Sequence, residues 1–222
     1  ATGQLQRHWL GSQALGNGRD IWIYKPQGWQ QADAAQRSLL VLFDAQAYLR
    51  QVPTPAIIDN LMADGLLPAT AVVLVANGAG DARSRELPPS PVFADFMGKQ
   101  LMPWLKTQGI AAGPERTVIA GSSYGGLASS YVALRYPQWF GNVLSLSGSY
   151  WWAPRGESPN WLASEIFLPA STDSKTPPTP GVTAGPNFAH RALSGVIYML
   201  KWISARPVRS ISSDSCQSAM TI

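Results

Sequence analysis

The chain is poor in the residues that metal and redox chemistry most often use. Its 222 residues include one cysteine, Cys216, and two histidines, His8 and His190. A single cysteine excludes an intrachain disulfide and a cysteine-based zinc site. Two isolated histidines without clustered carboxylates make no metal centre, so neither a metal nor a cofactor is expected. Charge is scarce as well, at 14% of residues with a net of +4. No run of Lys or Arg occurs, which leaves nucleic-acid and membrane-surface binding without support. No stretch reaches the roughly 18 uninterrupted apolar residues of a membrane-spanning helix. The start, Ala1-Thr2-Gly3-Gln4-Leu5, shows neither Met nor a basic and apolar leader. It reads as a chain whose leader was removed or as an excised piece, and the compartment stays open.

What is present is the composition of one globular unit, 45% hydrophobic with a mean hydropathy of −0.04. Short apolar runs alternate with helical segments over the first 150 residues. Strands are expected at Ile21–Tyr24, Ser38–Phe43, Ala71–Val75, Thr117–Ala120 and Gly141–Ser147. The continuous run Leu39-Leu40-Val41-Leu42-Phe43 is that of a strand covered on both faces. Helical spacing marks Thr54–Asp64 through Ile57, Ile58, Leu61 and Met62, and Val92–Leu105 through Phe93, Phe96, Met97, Leu101 and Leu105. A third helix runs from Gly125 to about Tyr136, where Pro137 stops it. This rhythm predicts an α/β fold, a mostly parallel sheet with helices on both faces.

The fourth strand leads directly into Gly121-Ser122-Ser123-Tyr124-Gly125. A G-x-S-x-G pentapeptide alone occurs often by chance. Between a strand and a helix it is the nucleophile elbow of an α/β-hydrolase, in which a sharp turn lifts the serine hydroxyl clear of the sheet. Side chains at Gly121 or Gly125 are expected to collide with the neighbouring strand and helix. Ser123 is thus the candidate nucleophile. The backbone N–H of Tyr124 is one expected oxyanion donor, and the loop Asp44-Ala45-Gln46 after an earlier strand supplies the other. The side chain of Asp44 is expected to cap the helix that follows.

The elbow with Gly126-Leu127, then Tyr136-Pro137-Gln138-Trp139-Phe140-Gly141, then Ser145-Leu146-Ser147-Gly148-Ser149-Tyr150-Trp151-Trp152, resembles the enterochelin (ferric enterobactin) esterase family within the esterase D-like α/β-hydrolases. The resemblance extends back through Arg85-Glu86-Leu87-Pro88, Leu42-Phe43-Asp44-Ala45 and Ile21-Trp22-Ile23-Tyr24, covering roughly residues 8–155. It implies a serine hydrolase that cleaves the ester bonds of a catecholate siderophore, with iron arriving in the substrate. It further implies oxyanion donors at Tyr124 and at Ala45 or Gln46, a contact from Arg85 to the anionic complex, and pocket walls from Trp151 and Trp152. Arg85 pairing with a carboxylate, and the two Trp serving as core or lid, are the plainer alternatives. The family's cytoplasmic members are the first expectation for localisation, its periplasmic ones the second. A related carboxylesterase, thioesterase or acyltransferase, or a catalytically impaired binding module, would share the elbow.

A serine nucleophile needs a base, and in this fold the histidine follows the serine in the chain. His190 is the one histidine after Ser123, in a segment that matches no family motif. From Ile166 onward the composition changes: Pro169, Pro177, Pro178 and Pro180 lie among Ser, Thr and Gly, and no strand–helix pair is legible. The sequence therefore divides into residues 1–165, an α/β-hydrolase catalytic domain lacking its last strands, and residues 166–222, an atypical tail that reads as frameshifted or spliced translation. An uncovered strand at Val143–Ser147 and poor solubility would follow.

Overall fold

The computed structural model describes residues 2–162. A six-stranded sheet runs in the order β1-β2-β4-β3-β5-β6, from β1 (Gln4–Ser12), β2 (Asn17–Lys25), β3 (Ser38–Phe43), β4 (Thr70–Val75), β5 (Thr117–Ser122) and β6 (Asn142–Leu146). β3 pairs in parallel with both β4 and β5, and β5 with β6, whereas β1–β2 and β2–β4 are antiparallel. This is the α/β-hydrolase fold with a mostly parallel sheet.

Alternate residues of the central strands feed two separate cores. Ile23, Val41, Phe43, Val73 and Ile119 face the cluster that holds Phe93, Met97, Leu101, Leu127 and Val132. Tyr24, Leu42, Val72, Leu74 and Ala120 face the opposite cluster around Ile58. The continuous apolar runs follow from this, because a strand covered on both faces has no solvent side to mark with polar residues. On the Ile58 side lie α1 (Ala45–Arg50) and α2 (Thr54–Ala63). The other side carries α4 (Pro91–Asp95), α5 (Met102–Thr107) and α6 (Tyr124–Arg135), while α3 (Ala82–Glu86) sits in the connection after β4.

The helix expected over Val92–Leu105 is present but widened: a π-helical turn, Phe96–Leu101, joins α4 to α5. Pro103 has no N–H to give the carbonyl four residues back, so the regular ladder is broken there. A Cβ on Gly98 would lie 2.2 Å from the Tyr136 ring, and Trp139 Nε1 donates to the Gly98 carbonyl at 2.9 Å. The bare glycine lets the end of α6 pack against this turn.

Two differences from the sequence expectation concern the beginning of the chain. The first strand extends well beyond Ile21–Tyr24, and β1 precedes it as a second, unforeseen strand. β1 is an edge strand whose residues are mostly exposed, so it lacks the apolar alternation that marks a half-buried strand. Among the described residues β6 forms the other edge, with Leu146 exposed. No helix among the described residues is long and apolar enough to cross a membrane. The tail read as 166–222 lies outside the described residues.

Candidate active site

β5 ends at Ser122 and α6 begins at Tyr124, so Ser123 alone makes the turn. Its φ of 54° and ψ of −119° lie in a region that L-residues rarely occupy. The surroundings hold it there. Its N–H donates to the Leu146 carbonyl at 3.0 Å, and its own carbonyl accepts from Leu127 N–H and Ser149 N–H, each at 3.1 Å. A Cβ on Gly121 would lie 2.6 Å from the backbone of Gly125, so strand and helix meet only because that position is glycine. The collision expected at Gly125 is not found, since a Cβ there reaches no atom closer than 3.4 Å. The second tight glycine is Gly126, whose Cβ would come within 2.5 Å of Ser145 Oγ.

Ser123 opens onto a cavity of about 500 Å³ lined by Asp44, Gln46, Ala47, Tyr48, Gln51, Val52, Asn77, Arg83 and Ser122. Most of these residues carry polar groups, and Arg83 is the one cation among them. Asp44 has a left-handed backbone, φ 58°, and makes no capping hydrogen bond, contrary to expectation. Its carboxylate instead accepts from Arg83 Nε at 2.7 Å, Arg83 Nη2 at 2.9 Å and Asn77 Nδ2 at 2.7 Å. This two-pronged pair fixes the guanidinium in orientation as well as in place. Hydrogen bonding to Asp44 raises the Arg83 pKa, and burial only partly opposes it. The same guanidinium lies over the Tyr124 ring, 5.9 Å from its centroid.

Two sets of backbone donors flank the serine. The first N–H groups of a helix have no partner within it. In α1 the Asp44 carbonyl takes Ala47 N–H and Tyr48 N–H, at 2.9 and 3.3 Å, which leaves those of Ala45 and Gln46 outside the helical ladder. In α6 the Ser123 carbonyl first accepts from Leu127, so the Tyr124 N–H is likewise outside the ladder. Donors of this kind can stabilise an oxyanion on a carbonyl carbon attacked by Ser123.

The other candidates are distributed as follows. Gln46 lines the cavity, while Ala45 is fully buried behind it. Arg85 is 64% exposed and pairs with Asp81 at 3.1 Å, so the arginine that α3 presents to the cavity is Arg83. Trp151 is exposed, with its ring 6.1 Å from that of Tyr124, and Trp152 packs partly buried against the core. His190 lies outside the described residues. His8 stands on β1, at the far side of the sheet from β5, edge-on to Trp104 at 5.3 Å. Among the described residues no three His, Cys, Asp or Glu side chains cluster in a way that could hold a metal.

Sequence reasoning did not find Asn77, Arg83, Tyr48 or Ser149. Tyr48 Oη lies 2.6 Å from Ser122 Oγ in the cavity wall, and Ser149 Oγ lies 3.0 Å from Ser123 Oγ. No local signal marks Arg83, whose side chain is placed by Asp44, 39 residues earlier in the chain.

Fold and elbow together place the chain among the α/β-hydrolases. The model of the "Putative esterase" family matches residues 12–181, and the chain belongs to that family. It is 37% identical to an iron(III) enterobactin esterase of Dickeya dadantii (strain 3937), over 64% of this chain and 32% of that protein. Against the iron(III) enterobactin esterase of Escherichia coli (strain K12) the identity is 35%, over 65% of this chain and 36% of that one. The chain thus spans about a third of the length of these relatives. Among solved structures, the enterobactin esterase of Shigella flexneri crystallised in the presence of enterobactin superposes with a TM-score of 0.65 and 31% identity, covering 72% of this chain and 41% of that one.

Proposed function

We propose that Ser123 is the nucleophile of an ester hydrolase whose substrate is the ester backbone of a ferric catecholate siderophore. The observation that carries the reading is the strained Ser123 at the β5–α6 turn, opening onto a cavity that holds the fixed guanidinium of Arg83. A backbone conformation this costly persists where neighbouring structure enforces it, and such residues cluster at active sites.

In this reaction Ser123 Oγ attacks the ester carbonyl carbon while its proton passes to a base, for which His190 is the candidate. The N–H of Tyr124 and that of Ala45 or Gln46 receive the negative charge of the tetrahedral intermediate. Its collapse expels the alcohol with the returned proton, and water then releases the acid from the acyl-enzyme. Arg83, whose charge Asp44 balances through Nε and Nη2, offers its remaining guanidinium N–H groups to an anionic substrate, and the Tyr124 and Trp151 rings offer flat surfaces to aromatic groups. Kinship with iron(III) enterobactin esterases supports the same substrate class.

The test is incubation of the chain with ferric and iron-free enterobactin, with release of 2,3-dihydroxy-N-benzoyl-serine followed chromatographically. Simple acyl esters and acyl thioesters serve as the comparison panel. Release is expected, with Ser123→Ala slowing it by roughly a thousandfold or more. Equal release by Ser123→Ala refutes the nucleophile. Turnover of acyl thioesters or simple esters with enterobactin left intact refutes the substrate class.

A further inference from the structure

The hydroxyl of Ser149 has no role in the reaction as described above, yet it is placed with care. Ser149 is 4% exposed, and its Oγ lies 3.0 Å from Ser123 Oγ. The chain reaches this position through a tight reversal after β6. Ser147 has a positive φ of 48°, and a Cβ on Gly148 would lie 2.4 Å from Ser145 Oγ. Beyond the reversal the segment is tied down on both sides. Tyr150 Oη meets Ser130 Oγ of α6 at 2.7 Å, and Trp152 N–H donates to the Ser149 carbonyl at 3.0 Å. The segment from Leu146 to Ser149 therefore holds Ser123 at its N–H, its carbonyl and its side-chain oxygen.

We propose that Ser149 is a positioning residue for Ser123, its hydroxyl donating to the nucleophilic oxygen and so directing the Ser123 proton toward the base; this rests on the esterase reading. Two hydroxyls in contact share one hydrogen bond, and in the resting protein either can donate. Once Ser123 Oγ begins to lose its proton it can only accept. Ser149 must then be the donor, which leaves the Ser123 proton to the base. The bond occupies one lone pair of Ser123 Oγ and fixes the side-chain rotamer, which narrows the directions open to the attacking lone pair.

The test is the second-order rate at which a fluorophosphonate probe modifies Ser123 in the full chain. In that reaction the Ser123 Oγ–P bond forms, the P–F bond breaks, and the proton leaves with fluoride. Loss of a hydrogen bond that orients the nucleophile corresponds to roughly a tenfold change in rate. Ser149→Ala is expected to slow labelling about tenfold or more, and Ser149→Thr, which keeps the hydroxyl, to restore it to within about threefold. Ser149→Cys keeps the size of the side chain and replaces a strong donor with a weak one, so it serves if the alanine variant fails to fold. It too is expected to label at least about fivefold more slowly than wild type. A purely structural serine would shift the unfolding midpoint and leave the labelling rate per folded molecule unchanged. A reactive wild type with an equally reactive Ser149→Cys overturns this inference and leaves the esterase reading standing. An unreactive wild type overturns the esterase reading and this inference with it.

Discussion

Glu86 is the charged side chain whose loss should cost the fold most. It closes α3, and its Oε2 lies 2.8 Å from Arg19 Nη1 on β2, with the two side chains 8% and 1% exposed. Asn17 completes a triangle, donating to Glu86 Oε1 at 2.6 Å and accepting from Arg19 Nη2 at 2.8 Å. The guanidinium also sits over Phe93 and Phe96, 5.3 and 5.0 Å from the ring centroids, and its buried Nε has no partner. Removing one partner of a buried ion pair costs about 3–5 kcal/mol, because the remaining charge stays buried and uncompensated. The two aromatic faces still hold the cation after Glu86→Ala, so the low end, about 3 kcal/mol, is expected. Glu86→Gln keeps an acceptor oxygen for Arg19 but turns its amide NH2 group toward Asn17 Nδ2, so it should recover less than about half of that loss. Replacing the pair by apolar residues, Arg19→Met with Glu86→Leu, removes the uncompensated charge and should recover most of the loss. Urea unfolding at micromolar protein, followed by tryptophan fluorescence at constant m, measures all three variants. A loss below about 1 kcal/mol in Glu86→Ala, or a double variant less stable than that single one, refutes the reasoning.

Two further predictions concern charge. Burial pushes the Asp95 carboxyl up, but hydrogen bonds from Lys99 and Tyr136 and the charges of Lys99 and Arg135 outweigh it and hold Asp95 below the usual carboxylate range. A carboxyl depressed on folding stabilises the protein above its unfolded value of ~3.9, and that contribution is lost as pH falls toward the folded value. The stability gap between wild type and Asp95→Asn should therefore be constant above about pH 5 and shrink below about pH 4, and a gap that stays constant to about pH 3 in urea midpoints contradicts this. At the cavity, Arg83→Ala removes the cation that faces Ser123 and frees Asp44, while Arg85→Ala breaks only an exposed pair with Asp81. Steady-state kinetics on an anionic ester should give a KM raised about tenfold or more for Arg83→Ala and changed less than about twofold for Arg85→Ala. The opposite order contradicts the assignment of the cavity cation.

The parts of the fold legible in the sequence are those where a single local rule decides. The buried runs at Ser38–Phe43 and Thr70–Val75 could be read because a strand covered on both faces admits nothing polar at its centre. The elbow could be read because its glycine at 121 answers a steric demand that no other residue meets. β1 could not, since as an exposed edge its residues answer to solvent and to one neighbour only. The partners of the nucleophile were hidden for a different reason. Arg83 reaches the cavity through its pair with Asp44, 39 residues earlier in the chain, and Ser149 reaches Ser123 from 26 residues later. No periodicity or short motif encodes such distances.

Those long-range ties explain why the elbow holds its strain. The unfavourable backbone of Ser123 is not balanced inside the pentapeptide, since the hydrogen bonds to its N–H and to its Oγ both come from the end of β6 and the turn after it. The facing wall depends on a second anchor, because α3 carries Glu86 into the buried triangle with Arg19 and Asn17 and Arg83 out to Asp44 from the same short helix. Asp44 in turn lies against Gly125, with its Oδ2 3.4 Å from where a Cβ would stand. Nucleophile and cation are thus held by separate anchors, which touch where Asp44 lies against Gly125 and Arg83 over the Tyr124 ring. Loosening α3 through Glu86 should change how an anion binds before it changes how Ser123 reacts, and loosening the turn at Ser149 should do the reverse.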